Sequence, residues 1–227
     1  MASHKLINKD FFKKWSPNMA YILGFFAADG YMTVNRRNGQ FWCIQITDGE
    51  LLQEIKIALG SEHKISLRKR TGNSSDIYRI QIGSIEMCND LRKLGYCERK
   101  TMSLSIPYVP DRYFCHFVRG YFDGDGNVWT GLMHKGRNVI TQVIAVVFTS
   151  CSEGFLRQLQ SRLTFDGMPG GCIYQTKKKA LRLQYSIRNS LKLYNFMYNR
   201  LGTSKLFLQR KKDVFEKYKQ IVNVAVV

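Results

Sequence analysis

The sequence predicts an α+β fold made of two copies of one αββαββα unit. Three observations predict it: one helical segment is written twice, paired alternating strands follow each copy in the same order, and a joint with two prolines divides the 227 residues near the middle. The first copy is Ile22-Leu23-Gly24-Phe25-Phe26-Ala27-Ala28-Asp29-Gly30. The second is Val118-Arg119-Gly120-Tyr121-Phe122-Asp123-Gly124-Asp125-Gly126, with Asp29 and Asp125 lying 96 residues apart. Ser16 before Pro17, and Asp111 after Pro110, are helix N-terminal signals, while Gly30 and Gly126 stand where left-handed C-caps are expected. Gly24 and Ala28 are four apart, as are Gly120 and Gly124, so each helix carries a flat strip that admits a second backbone. Packed strip to strip and in parallel, the helices bring Asp29 and Asp125 together at the negative poles of both dipoles. Two carboxylates there call for a divalent cation.

The remaining elements follow in order. Tyr31–Arg36 and Phe41–Thr47 alternate around Arg37-Asn38-Gly39, a hairpin with an Asn-Gly turn. Asp48 caps a helix with the stripe Leu51, Leu52, Ile55, Ala58 and Leu59. Lys64–Arg70 and Ile77–Gly83 make a second hairpin, and Ser84 opens a helix that runs through Leu91 and Leu94 to Gly95. The second half repeats this with a hairpin from Asn127 to about Thr149 across His134-Lys135-Gly136-Arg137, then a helix bearing Phe155, Leu156, Leu159 and Leu163. Strands Cys172–Lys178 and Leu181–Arg188 come next, followed by a helix lined by Leu193, Phe196, Met197 and Leu201. The expected division is one repeat over 1–106, a linker over 107–110 and a second repeat over 111–227.

Composition narrows the partners. Thirty-five Lys and Arg against 17 Asp and Glu give a net charge of +18, spread through folding sequence, which points to a polyanion and first to nucleic acid. No apolar run approaches the roughly 20 residues needed to span a bilayer, and no signal peptide is present, so an intracellular, DNA-associated protein without a membrane role is expected. The six cysteines lack any Cys-x-x-Cys spacing and are expected to be reduced core residues; the four histidines have no zinc-site spacing.

The strands supply a reading surface. Ile65 and Leu67 alternate with Ser66, Arg68 and Arg70, and Ile80 and Ile82 with Arg79 and Gln81. In the second half Leu181, Leu183, Tyr185 and Ile187 alternate with Arg182, Gln184, Ser186 and Arg188. Gln45 and Thr47 oppose Ile44 and Ile46; Thr33 and Asn35 oppose Met32 and Val34; Arg37 and Lys178 join the polar set. Arg, Gln and Asn on a β-ribbon can make paired contacts to guanine and adenine edges, although the same alternation also describes an ordinary solvated sheet face.

The two motif copies and the segments after each resemble the LAGLIDADG homing endonucleases in their single-chain, two-motif form. The resemblance implies saddle-shaped antiparallel sheets around a central pair of motif helices, with Gly24, Ala28, Gly120 and Gly124 at the helix interface. It implies that Asp29 and Asp125 are catalytic metal ligands, with the adjoining Ala28 and Gly124 contributing to the metal site. The first acidic position of the motif is kept as Asp123 but is Ala27 in copy one, a departure that bears on helix-end structure before chemistry. Matching the halves aligns Glu98-Arg99-Lys100-Thr101 with Gln209-Arg210-Lys211-Lys212, and the resemblance places Lys100 and Lys211 near the scissile phosphate. It also places a polar residue at the end of each first hairpin, here Asp48 and Ser150, in the water network; both have the look of helix N-caps.

The implied activity is hydrolysis of both strands of a long asymmetric duplex across the minor groove, leaving short 3′ overhangs. The enzyme would be a monomer using Mg²⁺, with Mn²⁺ or Ca²⁺ able to occupy the same site. The alternatives are an intron maturase that binds RNA and a DNA-binding regulator that does not cleave. Other acidic motifs fail. Asp123-Gly124-Asp125-Gly126-Asn127 begins like a calcium loop but has Val128 where Gly is needed and His134 where Glu is needed. There is no Asp-Thr-Gly protease loop and no Gly-x-x-x-x-Gly-Lys phosphate loop.

Overall fold

The computed structural model describes residues 5–72, 75–98, 104–133, 141–177 and 180–224. Helix α1 (Pro17–Asp29) leads into strands β1 (Gly30–Val34) and β2 (Gln40–Ile46), then α2 (Gly49–Ala58), β3 (Ile65–Arg68), β4 (Ile77–Gly83) and α3 (Ile85–Lys93). The same order returns as α4 (Asp111–Asp125), β5 (Gly126–Met133), β6 (Thr141–Ser150), α5 (Glu153–Phe165), β7 (Cys172–Gln175), β8 (Leu181–Tyr185) and α6 (Ile187–Tyr198). A further helix, α7 (Gln209–Val224), follows. Each half contributes an antiparallel four-stranded sheet, ordered β1-β2-β4-β3 and β5-β6-β8-β7. The two-repeat α+β expectation is therefore met.

The chain forms two compact units. The first comprises Met1–Lys100, Pro107–Gly124 and Gly202–Leu206; the second comprises Thr101–Ile106, Asp125–Leu201 and Phe207–Val227. Helix α4 thus belongs to the first unit as far as Gly124, because its small-residue strip is filled by α1. A Cβ on Gly24 would stand 2.0 Å from the Phe117 carbonyl oxygen, and one on Gly120 would stand 2.0 Å from that of Tyr21. Phe117 lies 96 residues after Tyr21, as Gly120 does after Gly24, so the contact is reciprocal. Helix α1 is apolar nearly all round and buried from Met19 to Ala27, as a central helix requires. Below it, Trp42, Ile44, Ile80 and Ile82 of the sheet meet Leu52 and Ile55 of α2 and Met87 and Leu91 of α3. The Phe26 ring packs edge-on against Trp42 and Tyr96, at 6.2 and 5.6 Å between centroids.

In the second unit, Val146, Phe148, Leu183 and Tyr185 form the sheet's buried face. They cover Phe155, Leu156 and Leu159 of α5 and Leu193 and Met197 of α6. Helix α7 joins through Phe215, whose ring lies 5.3 Å from that of Tyr194. The joint residues before Pro107 dock on this unit: Leu104 O accepts from Ser152 Oγ at 2.7 Å, and Ile106 N donates to Gln158 Oε1 at 2.8 Å.

Several expectations need correction. Gly30 is not a left-handed cap: it has φ −87° and ψ 155° and opens β1, just as Gly126 opens β5. Space, not φ, requires the first glycine, since a Cβ there would fall 2.0 Å from Phe26 Cδ2. Both helix starts are as expected: Ser16 caps α1 through Met19 N, and Asp111 lies in the first turn of α4. The alternation at 181–188 does not continue as strand. Strand β8 stops at Tyr185 because Ser190 Oγ donates to Tyr185 O and accepts from Val146 N, both at 3.0 Å, which fastens the start of α6 to the sheet. Ser186 is therefore the residue preceding α6 and Arg188 lies within it. Strand β7 ends at Gln175, and the turn at 134–137 lies outside the described residues. Of the cysteines, Cys43, Cys88 and Cys115 are buried as expected, while Cys97, Cys151 and Cys172 are exposed.

Candidate functional site

Each motif aspartate is held at a helix end by its own surroundings. In the first unit Asp29, half-buried, is the last residue of α1, and its Oδ2 lies 3.1 Å from where a Cβ on Gly124 would stand. The same Cβ would be 2.3 Å from that of Ala28, so Gly124 lets α4 approach Ala28 and the Asp29 carboxylate closely. In the second unit Asp125 is exposed at the end of α4. Lys211, only 6% exposed, sits in the first turn of α7 and donates from Nζ to Gly126 O at 2.6 Å, which fixes its ammonium one residue from Asp125. Lys100, its expected counterpart, lies outside the described residues.

The donor set suits a hard cation. Among the described residues no three His, Cys, Asp or Glu side chains gather into a self-sufficient metal site. Motif carboxylates at helix ends supply oxygen ligands but leave coordination positions for other oxygens, which is the chemistry of Mg²⁺ or Ca²⁺ and not of a closed zinc site.

Asp123 takes a structural place. Its Oδ2 accepts from the Tyr21 hydroxyl at 2.7 Å in the buried α1–α4 contact. The residues 96 positions away from this pair are Phe117 and Ala27, so copy one has lost both polar partners together. One turn earlier, the fully buried Arg119 donates from Nε to Leu206 O at 3.0 Å and from Nη2 to Ser204 Oγ at 3.3 Å and to His116 Nδ1 at 3.0 Å. Its guanidinium also lies 5.3 Å from the Tyr21 ring centroid. This staple, which ties residues 202–206 to α4, was not expected from sequence; an arginine inside a motif helix was the available signal. Burial, and then Arg119, push the His116 pKa down to about 4.

The water-network candidates separate. Asp48 Oδ1 caps α2, accepting from Leu51 N at 2.9 Å. Pairing of Gly30 with Ile44 and of Gly126 with Phe148 makes Ser152, not Ser150, the counterpart of Asp48. Ser152 is indeed the N-cap of α5, through Phe155 N at 3.2 Å, and Ser150 Oγ accepts from Ser152 N.

The polar strand residues assemble best in the first sheet. Gln45, Arg79 and Ser66 are consecutive partners across β2, β4 and β3, so they share a face. With Arg68 and Arg70 they line a depression of about 250 Å³. Gln81 lies on the same face opposite Cys43, and Gln45 Nε2 donates to the Tyr31 hydroxyl at 3.0 Å. Thr33 is exposed on β1, Thr47 lies just beyond β2, and Arg37 is exposed at the hairpin tip. Asn35 is turned to structural use, since its Oδ1 accepts from Arg37 N and Gly39 N while Asn38 takes φ 58°. Leu67, expected in the core, is 47% exposed on the edge strand. In the second sheet Arg182 and Gln184 remain on β8, Ser186 and Arg188 leave it as described, and Lys178 lies outside the described residues.

Comparison with known proteins agrees with this architecture. Residues 16–94 match the family model described as a LAGLIDADG-like domain. The meganuclease I-SmaMI bound to uncleaveable DNA superposes with a TM-score of 0.63 at 15% identity, covering 93% of this chain and 91% of that one. The LAGLIDADG homing endonuclease I-SmaMI bound to cleaved DNA gives 0.60 at 16%, covering 93% and 90%, and I-AabMI bound to uncleaved DNA gives 0.59 at 15%, covering 93% and 91%. No curated protein matches in sequence.

Proposed function

We propose that this chain, which carries a LAGLIDADG-like domain and the two-repeat fold of the single-chain meganucleases, is a monomeric, site-specific DNA endonuclease that cuts both strands with Mg²⁺. The observation that carries this reading is the reciprocal helix contact at Gly24 and Gly120, which continues to Gly124 packed against Ala28 and the carboxylate of Asp29. A backbone contact that close is not needed to bury a core; it serves to fix what stands at the ends of the helices. I-SmaMI and I-AabMI, which share the fold, have been captured on DNA.

In this reading Asp29 of one repeat and Asp125 of the other would hold divalent metal, together with the backbone at Ala28 and Gly124. Held there, such an ion would supply charge neutralisation at phosphorus and a more acidic water. Lys211, fixed by Gly126 O, sets a positive charge beside Asp125 for the strained phosphate, and Lys100 does so in the first repeat. Asp48 is assigned to ordering nearby water, and Ser150, whose Oγ accepts from Ser152 N, to holding the start of α5. The division into repeats 1–106 and 111–227 around a linker at 107–110 belongs to the same proposal. Sequence is read by Thr33, Arg37, Gln45, Thr47, Ser66, Arg68, Arg70, Arg79, Gln81, Arg182 and Gln184, with phosphate tracking by Lys178 and Arg188.

The test is cleavage of a randomised duplex library in Mg²⁺ or in EDTA, with new ends sequenced, for wild type and for the Asp29→Asn, Asp125→Asn double variant. Mg²⁺-dependent ends sharing one long motif and missing from the variant are expected. Wild-type cuts that persist in the variant would overturn the assignment of the site. Enriched duplex without ends would reassign the chain to a non-cleaving regulator.

A further inference from the structure

The outer faces of the two sheets, those turned away from the helices, differ in chemistry at matching positions. The first sheet's outer face carries Gln45, Arg79, Ser66 and Gln81, with Thr33 on the edge strand. Register sets Trp129 of the second sheet at the place of Thr33, and Val147 at that of Cys43, because Gly126 pairs with Phe148 as Gly30 pairs with Ile44. Likewise Tyr174 stands at the place of Ser66, since Ile173 pairs with Leu183 as Ile65 pairs with Ile80. Val143, Ala145 and Val147 form a buried floor on β6. Over it stand Trp129, 41% exposed, and Met133, 49% exposed, both on the outer face of β5. Tyr174 is also 37% exposed, and its hydroxyl is already donated to Gln184 Oε1 at 2.9 Å.

The purine-reading side chains of this face are confined to β8, where Arg182 and Gln184 stand at the places of Arg79 and Gln81, and the β5–β6 part offers none. Guanine and adenine edges are recognised by paired donors and acceptors, which Arg79, Arg68 and Gln45 can offer and which Trp129 and Met133 cannot. What an apolar side chain does match in the major groove is the 5-methyl group of thymine. A second copy of the chain is the competing occupant, but a net charge of +18 on each copy opposes self-association and favours a polyanion.

We propose that the β5–β6 face recognises thymine 5-methyl groups through Trp129 and Met133, so that the part of the DNA target beneath these two strands is thymine-rich. The inference rests on the DNA-binding reading above. The experiment selects bound duplexes from a randomised library and then replaces thymidine by deoxyuridine, which removes only the methyl, in one half of the selected site at a time. Binding is expected to weaken about fourfold per methyl lost, the value of one buried carbon group. The loss should fall in one half only, vanish in Trp129→Ser and persist in Arg79→Ala. Met133→Ser, expected to remove part of the same sensitivity, keeps the test decisive if the tryptophan variant folds poorly. A selected site indifferent to uracil, or equally sensitive in Trp129→Ser, overturns this proposal alone. Retention of no duplex at all overturns it together with the nuclease reading. A wild-type dimer that Trp129→Ser converts to monomer would give the face to a second copy instead.

Discussion

The Tyr21 hydroxyl and the Asp123 carboxylate meet at 2.7 Å inside the α1–α4 contact, and the residues matching them in the other repeat are Phe117 and Ala27. A buried polar pair in one copy is therefore exchanged for an apolar pair in the other, both partners at once. Removing one partner alone should cost about 1–3 kcal/mol, because the other loses its bond while staying buried. Tyr21→Phe with Asp123→Ala, which copies the apolar arrangement, should cost less than the sum of the single changes. Denaturant unfolding of the four proteins measures this, and additivity within about 0.5 kcal/mol would show the pair to be uncoupled.

Gly24→Ala and Gly120→Ala should each destabilise the fold by about 3 kcal/mol, the upper end of ordinary overpacking, because the new Cβ meets a backbone carbonyl and not the tip of a movable side chain. Thermal melting checks it. Gly72→Ala meets no heavy atom within 4 Å, although its φ of +74° adds strain, so its cost should be smaller.

Asp29→Asn or Asp125→Asn should lower cleavage by about a hundredfold or more while leaving DNA binding intact, since each removes charge stabilisation worth several kcal/mol in the transition state but no reading contact. Lys211→Met should reduce cleavage and also loosen the start of α7 by releasing Gly126 O. Equal cleavage by wild type and the Lys211 variant under single-turnover conditions would remove that lysine from the proposed site.

Acid should destabilise the first unit through His116. Its pKa is lowered from 6.5 to about 4 in the fold, so between those values the unfolded chain binds a proton that the native chain refuses. The resulting stability is complete above pH 6.5, is lost as the pH falls toward 4, and amounts to about 3 kcal/mol. Protonation would also fill the Nδ1 lone pair that accepts from Arg119. His116→Asn should flatten the stability profile over this interval, measured by urea unfolding at a series of pH values.

The helix strips were legible because a glycine followed four residues later by a second small residue, Ala28 in one copy and Gly124 in the other, leaves few alternatives to backbone contact. The order of hairpins and helices was legible for a similar reason, as alternation of period two gave way to helical stripes behind Asp48 and Ser84. The end of β8 was not, since Ser186-Ile187-Arg188 continues the alternation while a tertiary bond from Ser190 turns the chain into a helix. Sequence spacing matches Ser150 to Asp48, whereas pairing register, which spacing does not reveal, selects Ser152. Helix α7 passed unnoticed although it positions Lys211, and the Arg119 staple joins residues 87 apart, beyond any local pattern. Asn35 read as a base-contacting residue because a turn-locking amide and a free one have the same sequence.

Gly202–Leu206, synthesised late, completes the unit that begins at the N-terminus, where Arg119 captures Leu206 O and Ser204 Oγ. During translation, then, the first unit remains open until residue 206 has emerged, and the buried guanidinium gains the Leu206 carbonyl only at that moment. Ordinary domain-by-domain folding from the N-terminus is denied to it. A ribosome stalled before Gly202 should display an incompletely closed first unit, susceptible to protease at α4, whereas one stalled beyond residue 206 by more than the length of the exit tunnel should not.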